Sequence, residues 1–505
     1  MALDQLVDSG LVFRQGTGSE ARFTFKHALV QDAAYQSMLK SQRQRLHAQI
    51  GNVLEAKVGV LAEAAPEMIA QHYAEADMNE SAIHWWHRAG ERAIERSANL
   101  EAIAILNKAL AVLHLAPDRA RLRGQEFAIL TALGAALGPT KGYSAPETKK
   151  VYVRALDIIR ETGNVEGGLQ ALFGVWATFY ATGQHKESWE ILREFMRIAQ
   201  EQNTEDFKSV SQWMLIQELF LQGKFKEAVD VLEERLERRI GIHDDKLALE
   251  IGEHPGALTY AVASWSHLML GNLEQSMQSM NEAIRLAELS SHANTITVAL
   301  SMESVLYKEF GDIERSHASA VKCIECGEKQ EIPAFVAYAR VLKGLCECHL
   351  GGGPDSVALV RQGLADWQRI YAIYLPQLNL YLAEACLAVK RFEEGLKAVD
   401  DGLQRAIQFE EPAFCAELHR IRGELLAASP AEEVETCFRD ALDIARKQEA
   451  KTFELRAATS LARLWSGRGE GQRAHDLLAP IYGLFKEEFS TRDLMGAKAL
   501  LNAVG

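Results

Sequence analysis

Proline is scarce in this sequence, with only 11 occurrences in 505 residues. Helix interiors exclude proline because it lacks a backbone donor and clashes with the preceding turn, so this scarcity favours long helices. No apolar run approaches the roughly 18 residues that suggest a membrane span. The opening MALDQLVDSG carries acidic residues where a secretory signal would be positively charged. We therefore expect a helical, cytoplasmic protein without a membrane segment.

Cysteine is also sparse, and its odd count of seven does not indicate a disulfide framework. Cys323 and Cys326 share the spacing of two helical zinc ligands, and Cys346 and Cys348 follow. The latter two are i and i+2, about 200° apart on a helix, so both cannot point at one ion. We interpret these cysteines as small core residues.

Catalytic signatures are missing. The sequence contains no GxxxxGK[ST] phosphate loop, no GxSxG elbow and no HExxH, and GTGS and GGGPDS lack the lysine of a phosphate cradle. His84 and His87 have the i, i+3 spacing of two metal ligands on a helix, but the sequence near them offers no third ligand. We therefore predict no catalytic residue, no metal and no cofactor.

Positive charge is in deficit. The net charge is −14 and the pI is near 5.6, which argues against a nucleic-acid partner because phosphates would be repelled. The hydrophobic share of 48% and charged share of 25% are those of a globular protein.

A helical repeat is present instead. Its markers are five glycines: Gly183, Gly223, Gly271, Gly311 and Gly351. Small residues recur seven positions before and five and twelve positions after the last three of them. Such a period indicates a solenoid of stacked helix pairs. The predicted fold is all-α, a tetratricopeptide-like α-solenoid with a right-handed superhelix, over residues 164–490, closed by a capping helix at 491–505.

An insertion at about 238–256 lengthens one repeat. It carries His243, Asp244, Asp245 and His254. Inserted loops in repeat proteins often lie on the binding face, although most are plain surface. Its role stays open at this point.

The first 163 residues differ from the array. The pattern of residues 1–60 predicts a helix, a β-hairpin and further helices. Together these elements indicate a partial winged-helix segment. The run from Ala28 to Leu39 has no basic side chain and includes Asp32, so it should not read DNA. Residues 61–163 have helical-repeat spacing, with Ala70, Tyr73 and Ala82 in register.

Three segments carry a family resemblance. FTFKHALVQDAAYQSMLKSQRQRLHAQI resembles the end of the winged-helix region of the signal-transduction ATPases called STAND proteins. IAQHYAEADMNESAIHWWHRAGERAIERSANLEAIAILNKAL and TKGYSAPETKKVYVRALDI resemble the helical region after it. LARLWSGRGEGQRAHDLLAPIYGLFKEEFSTRDLMGAKALL is similar to the C-terminal end of a bacterial subset. In that subset a class III adenylate or guanylate cyclase domain precedes the ATPase.

The resemblance implies a C-terminal half without the cyclase and ATPase domains. It implies a non-catalytic scaffold, the sensor or partner-binding half of a signalling ATPase or nucleotide cyclase. His27, in the FTFKH stretch, resembles a winged-helix histidine that contacts nucleotide in related switch ATPases, which would require a complex in trans here. Two alternatives stay open: the sensor region of a maltose-activator-like transcription regulator, and an enzyme whose cyclase or ATPase activity is assigned by inheritance.

Partner binding is expected in the concave groove, which first helices line in tetratricopeptide arrays. Counting from the small residues places Trp265, Leu268, Lys308 and Tyr338 on that face. The predicted occupant is a protein partner or small ligand, including a separate ATPase or cyclase half. The alternative for Trp265 is helix-packing core.

Overall fold

The computed structural model describes residues 2–16, 21–56, 65–116, 120–162, 168–239, 244–427, 433–485 and 491–504. His243 of the insertion lies outside these ranges. Within them the chain is almost entirely helical, and no helix there is both long and apolar enough to cross a bilayer. The chain forms two compact units. One comprises Met1–Arg92 and Ala104–Ile129, and the other Ala93–Ile103 and Leu130–Gly505.

The first unit begins with a short helix and a two-stranded hairpin, followed by helices. Val12 pairs with Phe25 in the antiparallel hairpin. Three helices, α5, α6 and α7 below, are divided between the two units. The elements are α1 Ala2–Asp8, β1 Val12–Gln15, β2 Arg22–Phe25, α2 Ala28–Ser37, α3 Lys40–Ala56, α4 Pro66–Glu75, α5 Asn79–Glu95, α6 Asn99–Leu115 and α7 Arg123–Lys141.

The second unit continues with antiparallel helix pairs. The first helix of each pair is followed here by the second: α9 Gly168–Ala181 and α10 His185–Gln202, α11 Glu205–Leu221 and α12 Phe225–Glu237, α14 Pro255–Met269 and α15 Leu273–Ser290, α16 Ala293–Phe310 and α17 Ile313–Lys329, α18 Pro333–His349 and α19 Pro354–Ile370, α20 Leu375–Ala388 and α21 Phe392–Gln408, α22 Cys415–Leu426 and α23 Glu433–Lys447, α24 Lys451–Gly467 and α25 Gly471–Tyr482. Three helices stand outside the pairs: α8 Pro146–Thr162, α13 Asp244–Ile251 and α26 Arg492–Val504.

The small-residue register is where the two helices of a pair cross. Ser264 and Ser276, the residues at −7 and +5 from Gly271, each donate a hydroxyl hydrogen bond to the other's carbonyl at 2.7 and 2.8 Å. Ser304 and Ser316 repeat this one pair later, at 2.7 Å in both directions. The repeat glycine itself ends the first helix with a positive φ, 81° at Gly271, where a side chain would be strained. The predicted all-α, solenoid-like fold is confirmed.

Later repeats also touch much earlier ones. The Ala372 amide donates to the Ala181 carbonyl at 2.8 Å, and the Thr452 hydroxyl donates to the Leu268 carbonyl. The ends of early first helices therefore meet the starts of first helices far along the chain. Core side chains from Tyr143 to Ala497 form one continuous cluster as a result.

A buried histidine joins two such distant segments. His185 Nδ1 lies 3.0 Å from Glu218, and its Nε2 lies 3.4 Å from Glu411, 226 residues away. Glu411 also accepts the Tyr374 amide at 3.0 Å. Burial opposes ionisation of the imidazole, but hydrogen bonds and attraction from both carboxylates outweigh it and raise the pKa of His185 to about 9. The ring is therefore held as an imidazolium between two carboxylates.

This pairing should make unfolding sensitive to alkaline pH. The folded pKa lies above the ordinary value of about 6.5, so the stabilisation is complete below pH ~6.5 and is lost as pH rises through about 9. We expect the unfolding free energy to fall by up to roughly 3 kcal/mol across that interval. Urea denaturation from pH 6 to pH 9.5 measures this loss.

His185→Gln should flatten the pH profile, whereas His475→Gln, at a half-buried position of α25, should leave it unchanged. Equal slopes in the wild type and His185→Gln would contradict the assignment.

Candidate functional site

A charged cavity lies within the second unit. Its volume is about 480 Å³, within the usual range for small-ligand pockets of about 300–1,000 Å³. Nearly all of its lining comes from the first helices α16, α18, α20, α22 and α24 and from α26. The first helices from α16 to α24 therefore surround a concave space in the C-terminal half of the array.

The lining contains five permanent cations and four carboxylates. The cations are Lys308, Arg420, Arg456, Arg463 and Arg492, and the acids are Glu309, Glu384, Glu424 and Asp493. A balance of +1 contrasts with the −14 of the whole chain. Such a concentration of buried charge is characteristic of binding sites, although structural networks also produce it.

Lys308 is the innermost ammonium of the cavity. Its Nζ lies 2.6 Å from Glu384 and 3.0 Å from Glu309. Burial favours the neutral amine, but both carboxylates outweigh it and raise the pKa of Lys308. Burial likewise opposes ionisation of Glu309, yet Lys308 and Arg456 lower its pKa to about 2. Lys308 and Glu309 are therefore both charged at neutral pH.

Arg456 joins four helices through its guanidinium. It donates to Glu309 of α16 at 2.6 Å, to Asp493 of α26 at 2.6 Å and to Glu417 of α22 at 3.5 Å. Its Nη2 also donates to the Glu309 carbonyl at 3.0 Å. With a side chain only 10% exposed, Arg456 holds α26 against α16, α22 and α24.

Arg420 and Glu424 form the opposite wall. Arg420 donates twice to Glu417, at 2.8 and 2.9 Å. Glu424 accepts the Ser460 hydroxyl at 2.6 Å, but its contacts to Arg420 and Arg463 are both 3.7 Å. The Glu424 carboxylate is therefore only loosely neutralised.

Arg492 and His349 lie at the edge of the cavity. The described part of the chain provides Arg492 with no salt bridge within 4.0 Å, although its aliphatic stem packs against Gly311. Burial lowers the pKa of His349. The nearby Glu384 raises this pKa in part, whereas Lys308 and Arg492 lower it further. This edge thus presents an exposed guanidinium, without an ion-pair partner among the described residues, beside a neutral imidazole.

Of the four residues predicted for the groove, only Lys308 lines this cavity. Trp265 and Leu268 are each 2% exposed and Tyr338 is 3% exposed, so the expected open groove is absent at their positions. The Trp265 indole donates to the Met302 carbonyl at 3.0 Å. These positions are buried because a later part of the chain packs over them. The Tyr374 ring lies edge-on against both Trp265 and Tyr338.

A polar chain nevertheless links Tyr338 with Lys308. The Tyr338 hydroxyl donates to Gln377 at 2.7 Å, and Gln377 donates to the Tyr381 hydroxyl at 2.8 Å. The Lys308 ammonium lies 4.8 Å from the centre of the Tyr381 ring. Tyr338 and Lys308 are thus connected, although Tyr338 belongs to the core and Lys308 lines the cavity.

Over its described residues the insertion contributes one buried ion pair and a helix cap. Asp244, at the start of α13, pairs with Arg235 and accepts the Ser209 hydroxyl at 2.6 Å. His254 caps α14 by accepting the Ala257 amide at 3.0 Å, and its other nitrogen lies 3.3 Å from Asp245. These contacts attach the insertion to the array.

The cysteines pack as small side chains. Cys323 and Cys346 are both 0% exposed, and Cys346 donates to the Ser316 hydroxyl at 3.2 Å. Among the residues that the structure describes, no group of three or more His, Cys, Asp or Glu side chains is placed to hold a metal ion.

The N-terminal helices expose apolar side chains. Helix α2 buries none of its described residues, and α3 buries only Gly51, against which the Tyr73 ring packs. Leu29 is 82% exposed and Leu39 is 69% exposed. His27 occupies the N-cap of α2 with its ring exposed and makes no side-chain capping bond.

Comparison with known proteins gives a fold and little more. No protein-family model matches the chain. An uncharacterized protein of Rhizobium meliloti (strain 1021) is 24% identical over 476 residues, which cover 92% of this chain. The chain spans 45% of the length of that relative.

Three solved structures share the helical-repeat architecture at 12% identity. The Cut9–Hcn1 assembly of the APC/C matches with a TM-score of 0.46, covering 88% of this chain and 76% of that one. A Rap protein complexed with competence and sporulation factor matches at 0.45, covering 84% and 99%. A STAND protein from Pyrococcus horikoshii with a tetratricopeptide-repeat sensor matches at 0.34, covering 87% and 74%. Similarity at this level says nothing about what this chain binds.

Removing the Arg456 guanidinium should destabilise the C-terminal repeats. Arg456→Met leaves Glu309, Glu417 and Asp493 without their shared cation, so we expect a loss of about 3–5 kcal/mol in unfolding free energy. Urea denaturation followed by circular dichroism measures it.

Arg463→Met is the control, because it removes a cation of the same cavity but one with a side chain that is 61% exposed. It should lower the unfolding free energy by less than about 1 kcal/mol. Equal losses in the two variants would show that the Arg456 contacts do not hold α26 in place.

Proposed function

We propose that this chain is the sensor and partner-binding part of a larger signalling ATPase or nucleotide cyclase assembly. In this proposal its repeats bind and its first unit docks onto a separate nucleotide-binding polypeptide. The chain itself contributes binding rather than catalysis. The observation that carries the proposal is the uncovered apolar surface of α2 and α3.

This surface, the N-terminal apolar face, consists of side chains at least 42% exposed: Leu29, Leu39, Leu46, Ile50 and Val53. Isolated exposed apolar residues are common, but Leu46, Ile50 and Val53 recur at i, i+4 and i+7 and so share one exposed face of α3, which is typical of an interaction site. Covering it would remove apolar area from water at roughly 25 cal/mol per Å². A polypeptide partner supplies such cover.

Two further observations support a nucleotide-binding partner. The Rhizobium relative has more than half of its length outside the region that this chain matches, enough for additional domains. His27 lies at the start of α2, next to the N-terminal apolar face, with its ring free to contact a group from another polypeptide. We propose that it contacts nucleotide held by that partner.

The test is capture of the unmatched part of the Rhizobium relative by this chain. Leu29→Ser combined with Leu39→Ser should weaken capture at least tenfold, because both side chains leave an apolar contact. Leu115→Ser is the matched control, since Leu115 is an equally exposed leucine, 81%, on another helix, α6, and its replacement should leave the affinity unchanged. Surface plasmon resonance with the purified proteins gives the affinities.

Magnesium-ATP should change the affinity of the wild type, and His27→Ala should abolish that change while leaving nucleotide-free capture intact. No capture, or capture that the α2–α3 substitutions leave unaffected, would refute the proposal.

A further inference from the structure

The charged cavity contains charges of both signs that its own residues do not neutralise closely. Arg492 lacks a salt bridge within the described ranges, and Arg463 reaches only Glu424, at 3.7 Å. Glu424 in turn has no cation closer than 3.7 Å. The other lining charges are held in pairs of 2.6–3.0 Å.

These loosely paired groups define the chemistry of a ligand. Two cations and one carboxylate leave a balance of +1, the same as that of the whole lining. A dianion would face Glu424, Glu384 and Asp493, and an uncharged molecule would offer no carboxylate to Arg492. A zwitterion with net charge −1 satisfies all three groups, because charge-assisted hydrogen bonds form best between full opposite charges.

The size of the cavity sets a second limit. About 480 Å³ accommodates a small molecule or a few residues of peptide, not a folded domain. One side is formed by α26, held through Asp493 by Arg456 at 2.6 Å. The site is therefore built from the capping helix and the array together.

We propose that this cavity binds an acidic zwitterion, an acidic amino acid or a short acidic peptide. One ligand carboxylate pairs with Arg492 and a second with Arg463, while the ligand ammonium faces Glu424. This site lies in the second unit and does not depend on docking at the N-terminal apolar face, so the two proposals fail separately.

The test is isothermal titration calorimetry of the full chain with defined probes. L-Glutamate, L-aspartate and the tripeptide Ala-Glu-Ala all carry an ammonium and a net charge of −1. We expect saturable binding of at least one of these probes. Tighter binding of the amino acids would indicate a free amino acid as the ligand, and tighter binding of the tripeptide would indicate a peptide. N-acetyl-L-glutamate, L-arginine and inorganic phosphate should bind at least tenfold more weakly.

Two variants test the carboxylate contact and the ammonium contact of the ligand separately. Arg492→Ala should weaken binding about tenfold or more, the loss expected for a charged hydrogen bond. Glu424→Gln should do the same and should also narrow the preference over N-acetyl-L-glutamate. Arg197→Ala, on the exposed face of α10, is the matched control and should leave affinity unchanged.

Three outcomes would overturn the proposal. One is the absence of binding by all three acidic zwitterions at millimolar concentration. Another is equal binding of phosphate or N-acetyl-L-glutamate, which would show that the ammonium is not recognised. The third is undiminished binding by Arg492→Ala.

Discussion

Contacts between repeats that are distant in sequence determine which faces of the second unit are buried. A helix pair can bury its apolar faces only against neighbours, so a solenoid usually gains stability from adjacent repeats alone. Here additional contacts bridge long sequence separations, as between His185 and Glu411, 226 residues apart. They bury aromatic side chains such as Trp265 that an open array would leave on its inner face.

The same contacts decide where a ligand can enter. Early first helices are covered by later ones, so no open groove is left at Trp265 and Tyr338. Beyond α16 the first helices instead surround a space, and α26 forms one of its sides. Arg456 fixes that arrangement by binding carboxylates on α16, α22 and α26. The position of the cavity is thus a consequence of how the array closes.

Much of the repeat could be predicted from the sequence because its causes are local. The positive φ of Gly271 and the mutual hydrogen bonds of Ser264 and Ser276 depend on residues only a few positions apart. Lys308, on the first helix α16, lines the cavity. Arg456 and Arg492 could not be recognised, because the positions that they meet lie 147 and 181 residues earlier. The one available signal was the presence of charged side chains within otherwise apolar first helices, such as Glu384 in LPQLNLYLAEACLA.

A double-mutant cycle between His185 and Glu411 tests the contact between distant repeats most directly. The free energies of unfolding are measured for the wild type, His185→Ala, Glu411→Ala and the double variant near pH 7. Directly bonded partners should show a coupling of about 0.5–3 kcal/mol. Additivity within about 0.3–0.5 kcal/mol would contradict the account, because residues 226 positions apart couple only if the later repeats lie against the earlier ones.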